Sequence, residues 1–504
     1  MAGTHSIPSD IDILICGGGT AGAALAGIIA RDTDLQVVLL EAGPDYGPLA
    51  AGRWPADALN AIEICRSHQW AYYGMAHPSH TQPTGYDRAR IIGGCSSHNG
   101  CVALSGARAD YDAWPGLGAP GWDWASVTPA FERAKRQLRV RSVADNEITP
   151  WQRVFVDGCI AHGIPWTDDL DNPDENVGVG ASPVNIVDGM RWNTALAYLD
   201  PVRERPNLRV VGDCLVDRVV MENGRAVAVD ALIDDTSVRI AARRIVLSAG
   251  AYGSPAVLLR SGIGPTDELE RLGIAVTHPL AGVGQALADH PAVNLRLDRS
   301  DSLQTRMTDA SSRGWLPDEQ TLVKTRSSRC AEAFDLHLYA VSGRSPATGI
   351  WDCMVCVACV EPWSHGSVTL ASTNPKDAPV IDHGFLSDPD DHDLDVLADG
   401  VELAAGLLAT APFSGSFGPS LETLSREEIV EFVRAAVGIY YHPAGSCRMG
   451  SADDPLAVVG PDGRVHGLDN LWVCDASIFP RVMRANTNLP AAMLAEHLAS
   501  TIAQ

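Results

Sequence analysis

A chain of 504 residues with 46% apolar and 20% charged side chains has globular composition and room for two large lobes, which excludes a disordered or fibrous protein. Its 62 acidic against 38 basic residues give a net charge of −24, a field that repels nucleic acid and anionic membrane surfaces and leaves small molecules as the expected partners. The polar start MAGTHSIPSD lacks the pattern of a secretory signal, no apolar run is long enough to span a membrane, and twelve cysteines without a compact framework read as reduced thiols of a cytoplasmic protein.

In chain order, IDILICGGGTAGAALAGIIARDTDLQVVLLEAGP from Ile11 predicts strand, glycine turn, small-residue helix and strand, which is one βαβ unit. Gly17, Gly19 and Gly22 match G-x-G-x-x-G, with Gly18, Thr20 and Ala21 between them. The bare pattern is weak in a glycine-rich chain. Its context carries the argument: it follows the apolar strand Ile11 to Cys16, opens an alanine-rich helix, and precedes Glu41 and Ala42 at the end of the next strand. Such glycines bring backbone N–H groups and a helix N-terminus to a pyrophosphate, while the acidic residue holds ribose hydroxyls and disfavours a 2′-phosphate. The alternative is a glycine turn that packs helix on strand without a ligand.

A Pro- and Asp-rich segment follows around 165–190, and then NLRVVGDCLVDRVVMENGRAVAVDALI alternates like paired strands. ARRIVLSAGAYGSPAVLLRSGIG predicts a strand Ile245 to Leu247 that breaks at Ala249-Gly250 into a helix. The long block from about 291 to 435 contains predicted strands Phe334 to Val341 and Met354 to Val360, suited to a sheet that roofs a cofactor. WDCMVCVACV places Cys353, Cys356 and Cys359 at iron–sulfur-like spacing, but the fourth ligand is missing and residues three apart on a strand point to opposite faces, so no metal is expected. LDNLWVCDASIFP reads as a buried strand with Asp475 at its carboxyl end, where open α/β sheets place ligand contacts. The terminal NTNLPAAMLAEHLASTI predicts a helix with Pro490 in its first turn, Asn488 as its cap, and Leu494, Leu498 and Ile502 on one face.

Five ordered motifs resemble the glucose–methanol–choline oxidoreductases, which carry FAD. They are the N-terminal fingerprint; ARIIGGCSSHNGCVAL (89–104), similar to the family's first signature; GAYGSPAVLLRSGIG (250–264), which fits its second; VGQALADHP (283–291), similar to VG-x-N-L-x-DH; and YHPAGSCRMG, NLWVCDASIFP and NTNLPAAMLAEHLA near the end. The resemblance implies an α/β (α+β) fold: a discontinuous Rossmann-like FAD-binding domain from 9–160, 191–290 and 436–504, and a substrate-binding domain on an antiparallel sheet from 161–190 and 291–435. It also implies that the loop with Gly93, Gly94, Ser97 and Asn99 wraps the flavin, with Cys95 where Ser or Thr is usual. His98 stands where choline oxidase-like members attach the flavin covalently; a dissociable FAD is the favoured expectation. Val216 resembles the residue whose backbone pairs with adenine, Asp475 and Ala476 the contacts along the ribityl and diphosphate chain, and Asn488 and Pro490 further cofactor neighbours.

Oxidising an alcohol requires a base for the hydroxyl proton, and a histidine is suited to take it at neutral pH. By the resemblance that base is His442 of the Y-H-x-x-G motif. Asn488 is its partner, and an amide can orient the substrate oxygen but not deprotonate it. His290, His337, His466 and His497 have weaker cases, His466 being structural. Lys324 and Arg326 in TLVKTRSSRCAEAFDLHLY argue for a neutral or aromatic alcohol over a cationic one. Oxygen, giving peroxide, is the expected acceptor. A dehydrogenase with another acceptor is the second reading and a flavin-containing hydroxynitrile lyase the third; an NAD dehydrogenase explains only the first fingerprint.

Overall fold

The structure is a computed structural model that describes residues 7–62, 65–174, 177–297, 301–312, 319–345, 347–409 and 424–504. The first six residues of the polar N-terminus, and 410–423 of the long block, lie outside the described residues.

Five parallel strands form one sheet in the order Leu208–Val211, Val37–Leu40, Ile13–Cys16, Arg244–Leu247 and Leu471–Val473. The three inner strands, ILIC, VVLL and RIVL, are apolar almost throughout because helices and loops cover both faces. Helix Thr20–Asp32 leaves the first strand and packs against the C-terminal helix Asn488–Ala503, whose Leu494, Leu498 and Ile502 are all buried. Ala and Gly fill seven of the ten buried positions of the first helix, which favours close helix packing. Thr487, not Asn488, occupies the cap of the C-terminal helix: Asn488 is its first helical residue.

A second, antiparallel sheet has the order Gly438–Ile439, Pro291–Arg296, Trp351–Cys359, Leu336–Arg344, Thr321–Thr325 and Gly178–Ala181. Its two long strands start and end a few residues from where their apolar runs do, because the ladder from Leu336–Cys359 to Arg344–Trp351 is paired throughout. Cys353 and Cys359 face one apolar core and Cys356 the other, so the three thiols do not converge, and all twelve cysteines are free. One core lies around the parallel sheet and a second against the antiparallel one. No helix among the described residues is long and apolar enough to cross a membrane.

Candidate active site

The carboxyl edge of the parallel sheet opens into a cavity of about 650 Å³ between the two sheets. Its walls include Gly17, Gly19, Thr20, Ala21, Glu41, Ala42, Gly94, His98, Asn99, Val216, Asp475, Ala476, His442 and Asn488, brought together from across the chain. Gly22, Gly93, Ser97 and Pro490 stand behind that wall. Gly22 abuts the Gly17 backbone, and a Cβ there would overlap the Gly17 carbonyl oxygen. Gly93 N–H donates to Gly18 O at 2.7 Å, tying the two glycine loops together, while Ser97 Oγ donates to Ile92 O at 2.8 Å. Gly94, at φ +53°, comes so near that its Cβ would lie 2.6 Å from Gly19 Cα. Pro490 is buried in the first turn of the last helix.

These residues fit a dinucleotide. Glu41 accepts Gly18 N–H at 2.9 Å and Gly43 N–H at 2.8 Å, which holds its carboxyl at the strand end where a ribose binds. Burial pushes that carboxyl up to about 7 against these two bonds. Asp475 accepts Gly250 N–H at 2.9 Å and Ser477 N–H at 2.8 Å, so it clamps the second-signature turn to the last strand. Among the described residues neither ring nitrogen of the buried His98 has a hydrogen-bond partner, and the residue lines the cavity where a cofactor would lie. Burial raises the Cys95 thiol, but Arg88 and His98 outweigh it and bring it down to about 6.

The reactive end is built on Tyr440-Tyr441-His442. Tyr441 is left-handed at φ +68°, and it turns the chain so that the buried Tyr440 and His442 flank it. His442 Nδ1 lies 3.0 Å from His290 Nδ1, leaving Nε2 of His442 for the cavity. Burial, then the neighbouring His290, Arg88 and His337, hold His442 well below its ordinary value, and burial brings His290 down to about 3, so both rings are neutral at pH 7. Asn488 Oδ1 accepts the Thr20 hydroxyl at 3.0 Å; its buried Nδ2 has no partner among the described residues. His337 is buried on the antiparallel sheet against Phe334, His466 bonds Gly450 O, and His497 packs on Trp122.

Two sequence expectations need correcting. His290, a weaker case by sequence, is hydrogen-bonded to His442, and the DH pair of VGQALADHP is the signal that points to it. Lys324 and Arg326 do not line the cavity: Lys324 is buried over the Phe334 ring and Arg326 donates to Ala333 O. Glu319, two residues before that strand, does line it, with Tyr339, Tyr440 and Arg296 among the other lining residues. Burial pushes the Glu319 carboxyl up to about 7. The argument against a cationic substrate therefore falls. A carboxylate two residues before a strand carries no periodic signal, so only folding reveals where it points.

A nucleotide cleft at the sheet edge, roofed by an antiparallel sheet that brings a neutral histidine pair to one end, defines an FAD-dependent oxidoreductase acting on CH–OH groups. The chain belongs to the GMC oxidoreductases: residues 11–292 match the N-terminal domain of that family and residues 362–495 its C-terminal domain. It is 33% identical to the mitochondrial choline dehydrogenase of Mus musculus over 97% of this chain and 89% of the relative. It is also 33% identical to the oxygen-dependent choline dehydrogenase of Sinorhizobium fredii (97% and 95%). Among solved structures, pyridoxine 4-oxidase from Mesorbium loti superposes with a TM-score of 0.85 at 26% identity, over 98% of this chain and 99% of that one. Formate oxidase shares the fold at a TM-score of 0.84 and 22% identity.

Proposed function

We propose that the protein oxidises a primary alcohol bearing a cationic nitrogen to the aldehyde, with His442 as general base. The single observation that carries the reading is the His290–His442 contact at the cavity end, with both rings neutral. The Gly17–Gly22 turn, Glu41, the Gly93–Asn99 loop and Asp475 would hold FAD, which would supply the hydride acceptor. The chain's own residues handle the proton. With the shared proton on His442 Nδ1 donated to His290 Nδ1, the lone pair on Nε2 is free to take the substrate hydroxyl proton. Asn488, fixed through Thr20, orients the same oxygen through Nδ2. Glu319 faces the cationic nitrogen, with the rings of Tyr339 and Tyr440 beside it.

Choline is the first candidate, supported by the names of the relatives and by Glu319. Pyridoxine, whose ring nitrogen can pair with the same carboxyl and which would give pyridoxal, is the second; the pyridoxine 4-oxidase superposition favours it. Oxygen is the proposed acceptor, giving peroxide, with a dehydrogenase using another acceptor as the alternative. Anaerobic mixing of the purified protein with choline, pyridoxine and benzyl alcohol should bleach the flavin with one of the first two. Peroxide on readmitting air identifies an oxidase, whereas turnover without bleaching would support lyase chemistry instead. His442→Ala is expected to keep FAD and to lower the rate of flavin reduction about 10²- to 10⁴-fold; an unchanged rate removes His442 as the base.

A further inference from the structure

His290 and His442 stand 152 residues apart in the chain, yet one carboxylate oxygen holds the main chain of both. Asp289 Oδ1 accepts the N–H of His290 at 2.8 Å and the N–H of His442 at 2.9 Å. Its other oxygen faces Nδ1 of His383 at 3.8 Å, and Nε2 of His383 is bonded to the Tyr252 hydroxyl at 2.8 Å. A lone pair on Nδ1 would repel the carboxylate, so the favoured arrangement has Tyr252 donating to Nε2 and the ring proton on Nδ1, toward Asp289. Asp289 and His383 are both fully buried, so this chain of contacts is shielded from water. Tyr252 belongs to the second-signature helix Gly250–Arg260, and His383 follows the short strand Val380–Asp382. Hydrogen bonds to Asp289 thus join the His290 and His442 segments, and His383, bonded to Tyr252, lies beside the carboxylate's other oxygen.

We propose that Asp289 is the positioning residue of the catalytic pair: its Oδ1 sets the two main chains so that the Nδ1–Nδ1 contact forms and Nε2 of His442 faces the substrate, while Tyr252-held His383 orients the carboxylate. This rests on the reading of His442 as base. Two N–H groups on one oxygen favour a full negative charge there, because a charged acceptor binds about twice as strongly as a neutral one. Burial pushes the Asp289 carboxyl up to about 7, opposed by Arg88 and by the two N–H bonds. Of the groups that face it, His290, His383 and His442 are held neutral by burial, and Tyr86, Tyr252 and Tyr441 keep their protons. Arg88, above the Tyr252 ring, is then the charge opposite the carboxylate. As pH falls through the neutral range Asp289 gains a proton, the grip on both N–H groups loosens, and the rate of substrate deprotonation falls.

The test uses the FAD-loaded enzyme and follows anaerobic flavin reduction by choline or pyridoxine, whichever the panel shows to react, across the neutral pH range. Asp289→Asn keeps an acceptor oxygen but loses the charge and turns an N–H toward His383. It is expected to retain FAD, hold KM within about threefold, lower the reduction rate about 10- to 100-fold and flatten the acid limb of the profile, as a small misplacement of a catalytic group does. A wild-type rate and profile in that variant, or a loss confined to KM, overturns the proposal. His442→Ala run beside it separates the two claims: if it keeps full activity, the base assignment fails first. Should Asp289→Asn not hold FAD, His383→Gln leaves both N–H bonds to Asp289 in place; it is expected to shift the acid limb, and an unmoved limb overturns the proposal.

Discussion

Glu319 contributes a carboxyl to a cavity lining that also holds Tyr339, Tyr440, Asn294 and Arg296, and on the proposed reading its protonation sets which alcohols that end attracts. Burial shifts it from an ordinary 4.5 to about 7, so it is largely protonated in mildly acidic solution and ionised above neutrality. For choline, KM is therefore expected to fall as pH rises through 7, and Glu319→Gln is expected to raise KM about tenfold and remove that dependence, in line with a charged contact of ~1.5–3 kcal/mol. Steady-state kinetics at several pH values checks it; a pH-independent KM in the wild type counts against a cationic partner. The stability sign follows from linkage. A carboxyl whose folded value is raised contributes stability below its unfolded value of 4.5 and loses it as pH rises through about 7, so the ligand-free wild type should lose Tm relative to Glu319→Gln over that window. At this scale little was readable beforehand: Glu319 sits just before TLVKT with no periodic or motif signal, whereas His442 was named by its motif.

The elements were readable where one short pattern dictates one local geometry. The strand before Gly17, the helix after it and the C-terminal helix follow from runs of apolar and small residues, and they fold as that pattern requires. The glycine turn makes the sharpest demand, since helix Thr20–Asp32 can sit on the strand end only if position 22 has no side chain. Gly22→Ala is expected to push the helix off the Gly17 carbonyl at ~1–3 kcal/mol, lowering Tm and leaving the purified protein depleted of FAD. Thermal unfolding and the flavin-to-protein absorbance ratio report both effects, and full FAD content with an unchanged Tm would show that the turn has slack. Element ends were less readable. The strands expected at Phe334 and Met354 begin at Leu336 and Trp351, because pairing between neighbours sets where a ladder starts.

Across the whole molecule, the cofactor cleft lies between the parallel sheet and the antiparallel roof, so bound FAD would touch both. Stripping the flavin is expected to lower Tm, and added FAD should restore it in a concentration-dependent way, by about 4 kcal/mol at a thousandfold excess over Kd. Calorimetry of the stripped and reloaded protein checks this; a Tm indifferent to FAD would mean the cleft is rigid without it. The dinucleotide fingerprint and the family are legible in the sequence alone, because glycine turns, strand ends and short motifs act over a few residues, and the same motifs put His442 and Asn488 forward as candidates. Folding settled the rest. Thr20 meets Asn488 across 468 positions, Asp289 takes the N–H of His442 across 153, and Glu319 turns into the cavity instead of Lys324 and Arg326. Such contacts depend on how two sheets and their loops close on each other, and residue order carries no local record of which distant side chains will face each other there.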